Sequence, residues 1–423
     1  MKIVIAGFGL EGRVSYEYYK ALGNEVVIAD ERADVSVPEG AKTILGPDAL
    51  SRLDEFDLII RSPSLNPAKL PYGSKVWSQA NEFFEKCPAP IIGVTGTKGK
   101  GTTSSLIASI LRSAGKTVHL VGNIGVPALE VLHKVQSSDV VVYELSSFQL
   151  WDLKKSPQIA VVLGIEPDHL DIHADFVDYI AAKGHSTENQ STTDRVVFNV
   201  HNEAAVSIAG LSVGQRLPYP TERTGHVRGS FFYYGDTELC ETSQLQLPGD
   251  HNIENACAAI TAVWPWVKEP AVIAEGLRSF DGLPHRLKFV REVGGVKYYD
   301  DSIGTTPGSA IAALRSFSEP KVIILGGSDK GAIYNEIVQL CKETDTSVIA
   351  IGQTGAVIQK LCEESGVSCE RVDGLMPEVV KKASEIAKPG DVVILSPASA
   401  SFDQYENYAD RGEQFVTAVQ QLA

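Results

Sequence analysis

The chain has 423 residues, 43% of them hydrophobic and 22% charged, and a formal net charge of −15 at pH 7. At about 150 residues per domain, that length points to roughly three domains. The acidic balance excludes a nucleic-acid surface, which needs clustered Lys and Arg to hold a phosphate backbone. No apolar run approaches the roughly 20 residues of a membrane span. The opening "MKIVIAGFGLEG" reads as strand and glycine turn rather than as a signal peptide, so a cytoplasmic protein without membrane partners is expected. Six scattered cysteines lack the paired short spacings of a zinc site and fit the reduced thiols of such a compartment.

In chain order, "KIVIA" (residues 2 to 6) is a short apolar strand that runs into Gly7, Gly9 and Gly12, the GxGxxG turn of a Rossmann-type opening. The strand "EVVIAD" ends at Asp30, where an acidic residue meets a ribose hydroxyl in such units; a tight turn without ligand is the alternative for the glycines alone. "DLIIRSPSL" then ends in a Ser/Pro loop, and "CPAP" at Cys87 reads as an extended linker.

The second segment opens with "PIIGV", followed by "TGTKGKGTT" and a helix carrying Leu106, Ile107, Ile110 and Leu111. Strand, glycine loop and helix stand in the order a phosphate-binding loop requires. Backbone N–H groups from Gly96, Thr97, Lys98, Gly99, Gly101, Thr102 and Thr103 would cradle phosphates, with Lys100 neutralising the β and γ oxygens. A Ser or Thr usually follows the lysine to hold magnesium, yet this position is Gly101. "DVVVYELSSFQL" is a buried strand delivering Glu144 at its C-terminal end, and "IAVVLGI" leads into "EPDHLDIH" with Asp168, His169 and Asp171 at the same edge.

The final third repeats the alternation in "VKYYDDS", "KVIILGGSDKG", "SVIAIGQTG" and "DVVILSPASASFDQYENY", whose loops hold Asp301, Lys330 and Ser401. "GLPHRLKFV", with His285 and Arg286, reads as a hinge. The expected fold class is α/β in three domains: Rossmann-like over 1–87, a central phosphate-loop ATPase-like sheet over 88–284, and Rossmann-like again over 285–423.

Taken together, "TGTKGKGTT", "ELSSFQL", "DHLD" with Lys183 downstream, "LPGDHNIENACAA", "GLPHR", "LGGSDKG" and "LSPASASFDQYENYADRGEQF" resemble the Mur ligases of peptidoglycan synthesis, in the family's order and over the whole chain. Within that family the resemblance is to the glutamate-adding members. It implies an ATP- and Mg2+-dependent amide ligase acting as a monomer on UDP-N-acetylmuramoyl-L-alanine and D-glutamate through an acyl phosphate. L-glutamate, or a folylpolyglutamate synthase-like ligation, is the alternative. The resemblance makes Thr102, Glu144, His169 and Lys183 metal-side residues, Lys183 as a carbamate, and places Lys100, Lys183, His169 and Arg286 in catalysis. It assigns Asn252 and Asn255 to adenine, Asp301 to ribose and Arg286 to the γ-phosphate. Leu10, Asp30, Arg32 and Asn123 fall to the UDP-muramoyl substrate, and Ser401, Phe402, Tyr408 and Lys330 to glutamate. Two departures stand out: Gly101, which passes the metal hydroxyl to Thr102 with Thr103 as alternative, and "DDSIGTTP", where Ile303 replaces a lysine of the common D-glutamate-adding members.

Overall fold

Short apolar runs, each ended by Gly, Ser or Asp, form parallel strands, because both faces of such strands are covered and a helical crossover follows. The computed structural model describes residues 1–124, 126–329 and 331–422. Strands β1 (Lys2–Ala6), β2 (Glu25–Asp30), β3 (Lys42–Leu45), β4 (Leu58–Arg61) and β5 (Val76–Ser78) form a parallel sheet in the order β3-β2-β1-β4-β5. A second parallel sheet contains β6 (Ile91–Thr95), β7 (Val118–Gly122), β8 (Val140–Glu144), β9 (Ile159–Val162), β10 (Arg195–Asn199) and β11 (Gln215–Tyr219), in the order β11-β10-β9-β6-β8-β7. A small antiparallel sheet of β12 (Gly225–Arg228), β13 (Phe231–Tyr234) and β14 (Thr237–Glu241) follows.

The last sheet holds β15 (Lys288–Val293), β16 (Val296–Asp300), β17 (Lys321–Gly326), β18 (Thr346–Ile351), β19 (Cys369–Val372) and β20 (Val392–Leu395), in the order β15-β16-β20-β17-β18-β19. Its edge strand β15 is antiparallel to β16, turned about Gly294 and Gly295 at φ 58° and 78°. The stretch read as a hinge thus splits: His285 and Leu287 take left-handed φ values of 58° and 44°, while residues from Lys288 onward join the sheet.

The chain parts into two compact units, Met1–Gln246 with Asp250–Phe280, and Leu247–Gly249 with Asp281–Ala423. Inside the first unit the two parallel sheets are welded together. Phe83 and Phe84, on the helix Gln79–Lys86 that leaves the first sheet, pack on Val121, Val141 and Tyr143 of the second. Arg61 at the end of β4 adds a buried ionic tie. Its Nε and Nη2 reach the Asp152 carboxylate at 3.0 and 2.7 Å, and its other N–H groups go to the carbonyls of Ser62, Leu65 and Phe148. A fully buried guanidinium is tolerable only when its donors are satisfied in this way. In the second unit, apolar clusters cover both faces of the last sheet, one around Ile324, Val393 and Phe415, the other around Ile323, Val348 and Ile358.

Candidate active site

β6 is buried along its whole length and ends where the loop begins. Gly96 (φ 154°) and Gly99 (φ 82°) make the turn possible. A Cβ on Gly96 would lie 2.7 Å from the Leu163 Cβ, and one on Gly99 would lie 2.4 Å from Asn255 Oδ1. The helix Lys100–Ser113 starts with no side-chain cap, so its first-turn N–H groups, which no helix can satisfy internally, point out of its N-terminus. Thr97 locks the loop to the next strand's exit, its N–H on the Gly164 carbonyl at 2.9 Å and its hydroxyl on the Glu166 carbonyl at 3.0 Å. Lys100 curls back over the loop, its Nζ donating to the carbonyls of Thr97 (2.9 Å) and Gly96 (3.1 Å). Lys98 stays exposed, 3.5 Å from Glu166.

The two hydroxyls offered after Gly101 differ in their surroundings. Thr103 is fully buried and donates to Asn255 Oδ1 at 3.3 Å, while Asn255 Nδ2 donates to Asn252 Oδ1 at 3.2 Å. Asn252 and Asn255, on the helix Asp250–Val263, therefore brace the loop from behind. Thr102 is nearly buried at the same helix start.

Lys183 sits against this loop from the opposite side. The helix Phe176–Gly184, capped by Asp175, sets Tyr179 and Lys183 one turn apart on one face, and the Lys183 Nζ lies 4.5 Å from the Tyr179 ring centroid. That amine is 1% exposed as a residue and donates to the Gly96 carbonyl at 3.0 Å and to Thr95 Oγ1 at 3.4 Å. Burial drives its pKa well below the ordinary lysine value, and the nearby Lys100 charge adds to the effect. Both lysine amines share one carbonyl, that of Gly96.

Tyr179 is also the wall shared with the histidines. The His169 ring, at a left-handed φ of 54°, lies 6.5 Å from it and 4.9 Å from Phe148. His173 was not singled out by sequence, yet its side chain is fully enclosed. Its Nδ1 is 2.7 Å from Asp178 Oδ2 and its Nε2 is 3.0 Å from Ser147 Oγ. The chain Asp178, His173, Ser147 ties the exit of β9 to the "SS" of "ELSSFQL". The signal available in the sequence was the HxxxH spacing from His169 to His173, which reads equally as a core histidine.

Glu144 ends β8, almost wholly buried. Its carbonyl accepts from the Asn123 N–H at 3.4 Å, and Gly122 (φ 113°) is required there because a Cβ would stand 2.2 Å from that oxygen. Asn123 and Glu144 thus meet through their backbones. Among the described residues, no group of three or more His, Cys, Asp or Glu side chains is arranged to hold a metal ion.

On the first sheet, Asp30 is buried and accepts from the Phe8 N–H at 2.8 Å and from Arg32 at Nε and Nη2, both 2.9 Å. The hydrogen bonds from Arg32 lead in pulling its pKa down to about 2. Leu10 is exposed beside this turn. In the second unit, Asp301 is buried, with Ser396 Oγ at 2.6 Å and the Leu287 N–H at 3.1 Å; burial pushes its pKa up to about 7. Gly304 permits that arrangement, since a Cβ would lie 2.5 Å from Asp301 Oδ2. Arg286 is exposed, Ser401 buried, and Phe402 and Tyr408 largely exposed. Arg411, also overlooked in the sequence, is fully buried and braces the Asp301 loop through Ser302 Oγ (3.0 Å) and the Ser302 carbonyl (2.8 Å). Lys330 lies outside the described residues.

The structure thus gathers Gly96, Thr97, Lys100, Thr102, Lys183, Asn252 and Asn255 about one loop, and sets Leu10, Asp30 and Arg32 at a second turn of the same unit. Comparison with known proteins gives the family. The model of the Mur ligase middle domain matches residues 94–263, and that of the Mur ligase glutamate ligase domain matches residues 285–399. The chain is 35% identical, over its full length and 96% of the relative, to a UDP-N-acetylmuramoylalanine–D-glutamate ligase of Acetivibrio thermocellus. The crystal structure of a UDP-N-acetylmuramate-alanine ligase from Thermotoga maritima aligns with TM-score 0.64 and 18% identity over 99% of each chain. A folylpolyglutamate synthase/dihydrofolate synthase from Yersinia pestis, solved with AMPPNP and a Mn ion, aligns with TM-score 0.58 and 18% identity over 81% of this chain and 92% of that one. With its loop, its paired lysines and its full-length relatives all in one order, the chain belongs to the Mur ligase family.

Proposed function

We propose that this protein is an ATP-dependent amide ligase that adds D-glutamate to UDP-N-acetylmuramoyl-L-alanine in peptidoglycan precursor synthesis. A carboxylate oxygen of the alanine attacks the γ-phosphorus of ATP and ADP leaves. The glutamate amine, having lost its proton, then attacks the resulting acyl phosphate, and inorganic phosphate departs. Both steps bring anions together, so the chemistry depends on charge neutralisation and positioning more than on a protein nucleophile.

The observation that carries this reading is the Lys183 amine, buried beside the phosphate loop and 3.0 Å from the Gly96 carbonyl. Lys100 meets the phosphates from the helix N-terminus. Burial lowers the Lys183 pKa and so favours the neutral amine, the form that adds carbon dioxide to become a carbamate anion with release of one proton. Mg2+ fits the donors present. Thr102 and Glu144 supply hard oxygen ligands, and a magnesium site of this kind takes few protein groups and completes its shell with phosphate and water. When bound, the ion neutralises phosphate charge. His169, and Lys183 once carbamoylated, would hold a second metal ion.

The remaining assignments keep their place in this reading: Asn252 and Asn255 for adenine, Asp301 for ribose, and Arg286 for the γ-phosphate. Leu10, Asp30, Arg32 and Asn123 take the UDP-muramoyl substrate, and Ser401, Phe402 and Tyr408 the glutamate. The working boundaries are 1–87, 88–284 and 285–423. All six cysteines are free thiols, which supports a reducing, cytoplasmic setting. The acyl phosphate is tested with 18O in the alanine carboxylate. The label should appear in released phosphate; its absence from phosphate during turnover contradicts the route.

A further inference from the structure

The helix Leu10–Ala21 starts directly after the glycine turn of the first sheet, and Glu11 stands in its first turn. Its side chain is turned towards the second sheet. Glu11 Oε1 accepts a 2.6 Å hydrogen bond from Gln149 Nε2. Gln149 closes the turn that follows Glu144: its Oε1 accepts from Ser146 N at 2.9 Å and from Ser146 Oγ at 3.0 Å, and its own N–H donates to Ser146 Oγ at 3.2 Å. This is a capping box, and it spends the single oxygen of the Gln149 amide on Ser146. The nitrogen is then left as the donor, and the Glu11 carboxylate accepts from it. Glu11 is itself held from behind, since its carbonyl accepts from Gln79 Nε2 at 3.0 Å and from Ser15 Oγ at 2.8 Å.

We propose that Glu11 is a positioning residue for the ligation: by fixing the amide of Gln149 it holds the turn at residues 145 and 146, and with it the Glu144 carboxylate, in the orientation that binds the nucleotide's metal. The inference rests on the assignment of Glu144 to that metal in the function proposed above. Leu145 N is pinned to the Val94 carbonyl at 2.8 Å on the strand side, so the turn is fixed from both ends only while the Gln149 amide is anchored. Groups that orient a ligand without touching the ion typically change metal affinity about 10- to 100-fold when removed.

Mn2+ serves as the probe, followed by electron paramagnetic resonance in the presence of AMPPNP, alongside the Mg2+ concentration that half-saturates ADP release. In Glu11→Ala, Mn2+ affinity should fall about tenfold and the Mg2+ requirement rise by a similar factor. Glu11→Gln, whose Oε1 can accept the same bond, should stay within about twofold of the wild type. Unchanged Mn2+ affinity in Glu11→Ala, or equal loss in both variants, overturns the inference. If Glu11→Ala does not fold, Gln149→Ala carries the same tenfold expectation, and wild-type Mn2+ affinity there overturns it as well. A wild-type protein that binds no Mn2+ with AMPPNP removes the functional reading, and this inference falls with it.

Discussion

Burying the Lys183 amine near a second lysine favours its neutral form, while its hydrogen bonds go to Gly96 O and Thr95 Oγ1. Lys183→Ala should be nearly inactive and partly rescued by added formate or acetate, which can fill the vacated anionic place; full activity without additive contradicts the carbamate. Thr102→Ala should lose most activity by removing the hydroxyl proposed to hold the metal. Thr103→Ala, which loses a hydroxyl already committed to Asn255, should keep more; steady-state rates at saturating Mg2+ rank the two. Glu11 gives a pH signature. Its carboxyl is enclosed although the residue as a whole is partly open, and burial raises its pKa from 4.5 to about 7 against the pull of Gln149 and Arg61. The unfolded chain ionises this group first, so stability should fall as pH rises from about 4.5 to about 7 and level off above, by roughly 3 kcal/mol at most. Glu11→Gln should lose that slope, as read from urea midpoints at pH 5 and pH 8. Little of this was legible at single residues. Lys183 looks like any solvated helix lysine, and only the order of motifs marked it; its burial depends on Tyr179 one turn earlier and on a glycine loop 87 residues away.

At the scale of elements, the phosphate loop was legible because its constraints are local: a buried strand, glycines at forced φ values and an uncapped helix start. Gly99→Ala would strain a left-handed position and push a methyl into Asn255, a cost of about 1–3 kcal/mol. The KM for ATP should therefore rise roughly tenfold, since about 1.4 kcal/mol is a factor of ten. The central strands β1, β2, β6, β8, β17 and β20 announced themselves as unbroken apolar runs. Edge strands did not: β15 reads "KFVREV", with no clean alternation and no fully buried residue, so "LKFV" reads as part of a hinge until β16 supplies its partner. The weld between the first two sheets was hidden because Arg61 and Asp152 lie 91 positions apart. Arg61→Ala strands a carboxylate and several carbonyls, and should destabilise the first unit by about 3–5 kcal/mol in chemical unfolding. Arg61→Lys keeps the charge but not the two-pronged geometry, and should fall between.

For the whole molecule, the family and the order of sheets follow from many motifs in one sequence order, whereas the identity of the amino acid turns on few groups. Ile303 can neither pair with a carboxylate nor donate a side-chain hydrogen bond, so the lysine contact of the common D-glutamate-adding members is missing. In the proposed reading, hydroxyls such as those of Thr305, Thr306 and Ser401 would recognise the glutamate carboxylates, and the full-length relatives, named for D-glutamate, support that enantiomer. The most direct measurement is ADP release with UDP-N-acetylmuramoyl-L-alanine and each pure enantiomer of glutamate. Release should require the UDP substrate and proceed with D-glutamate; release without the UDP substrate, or a clear preference for L-glutamate, would contradict it.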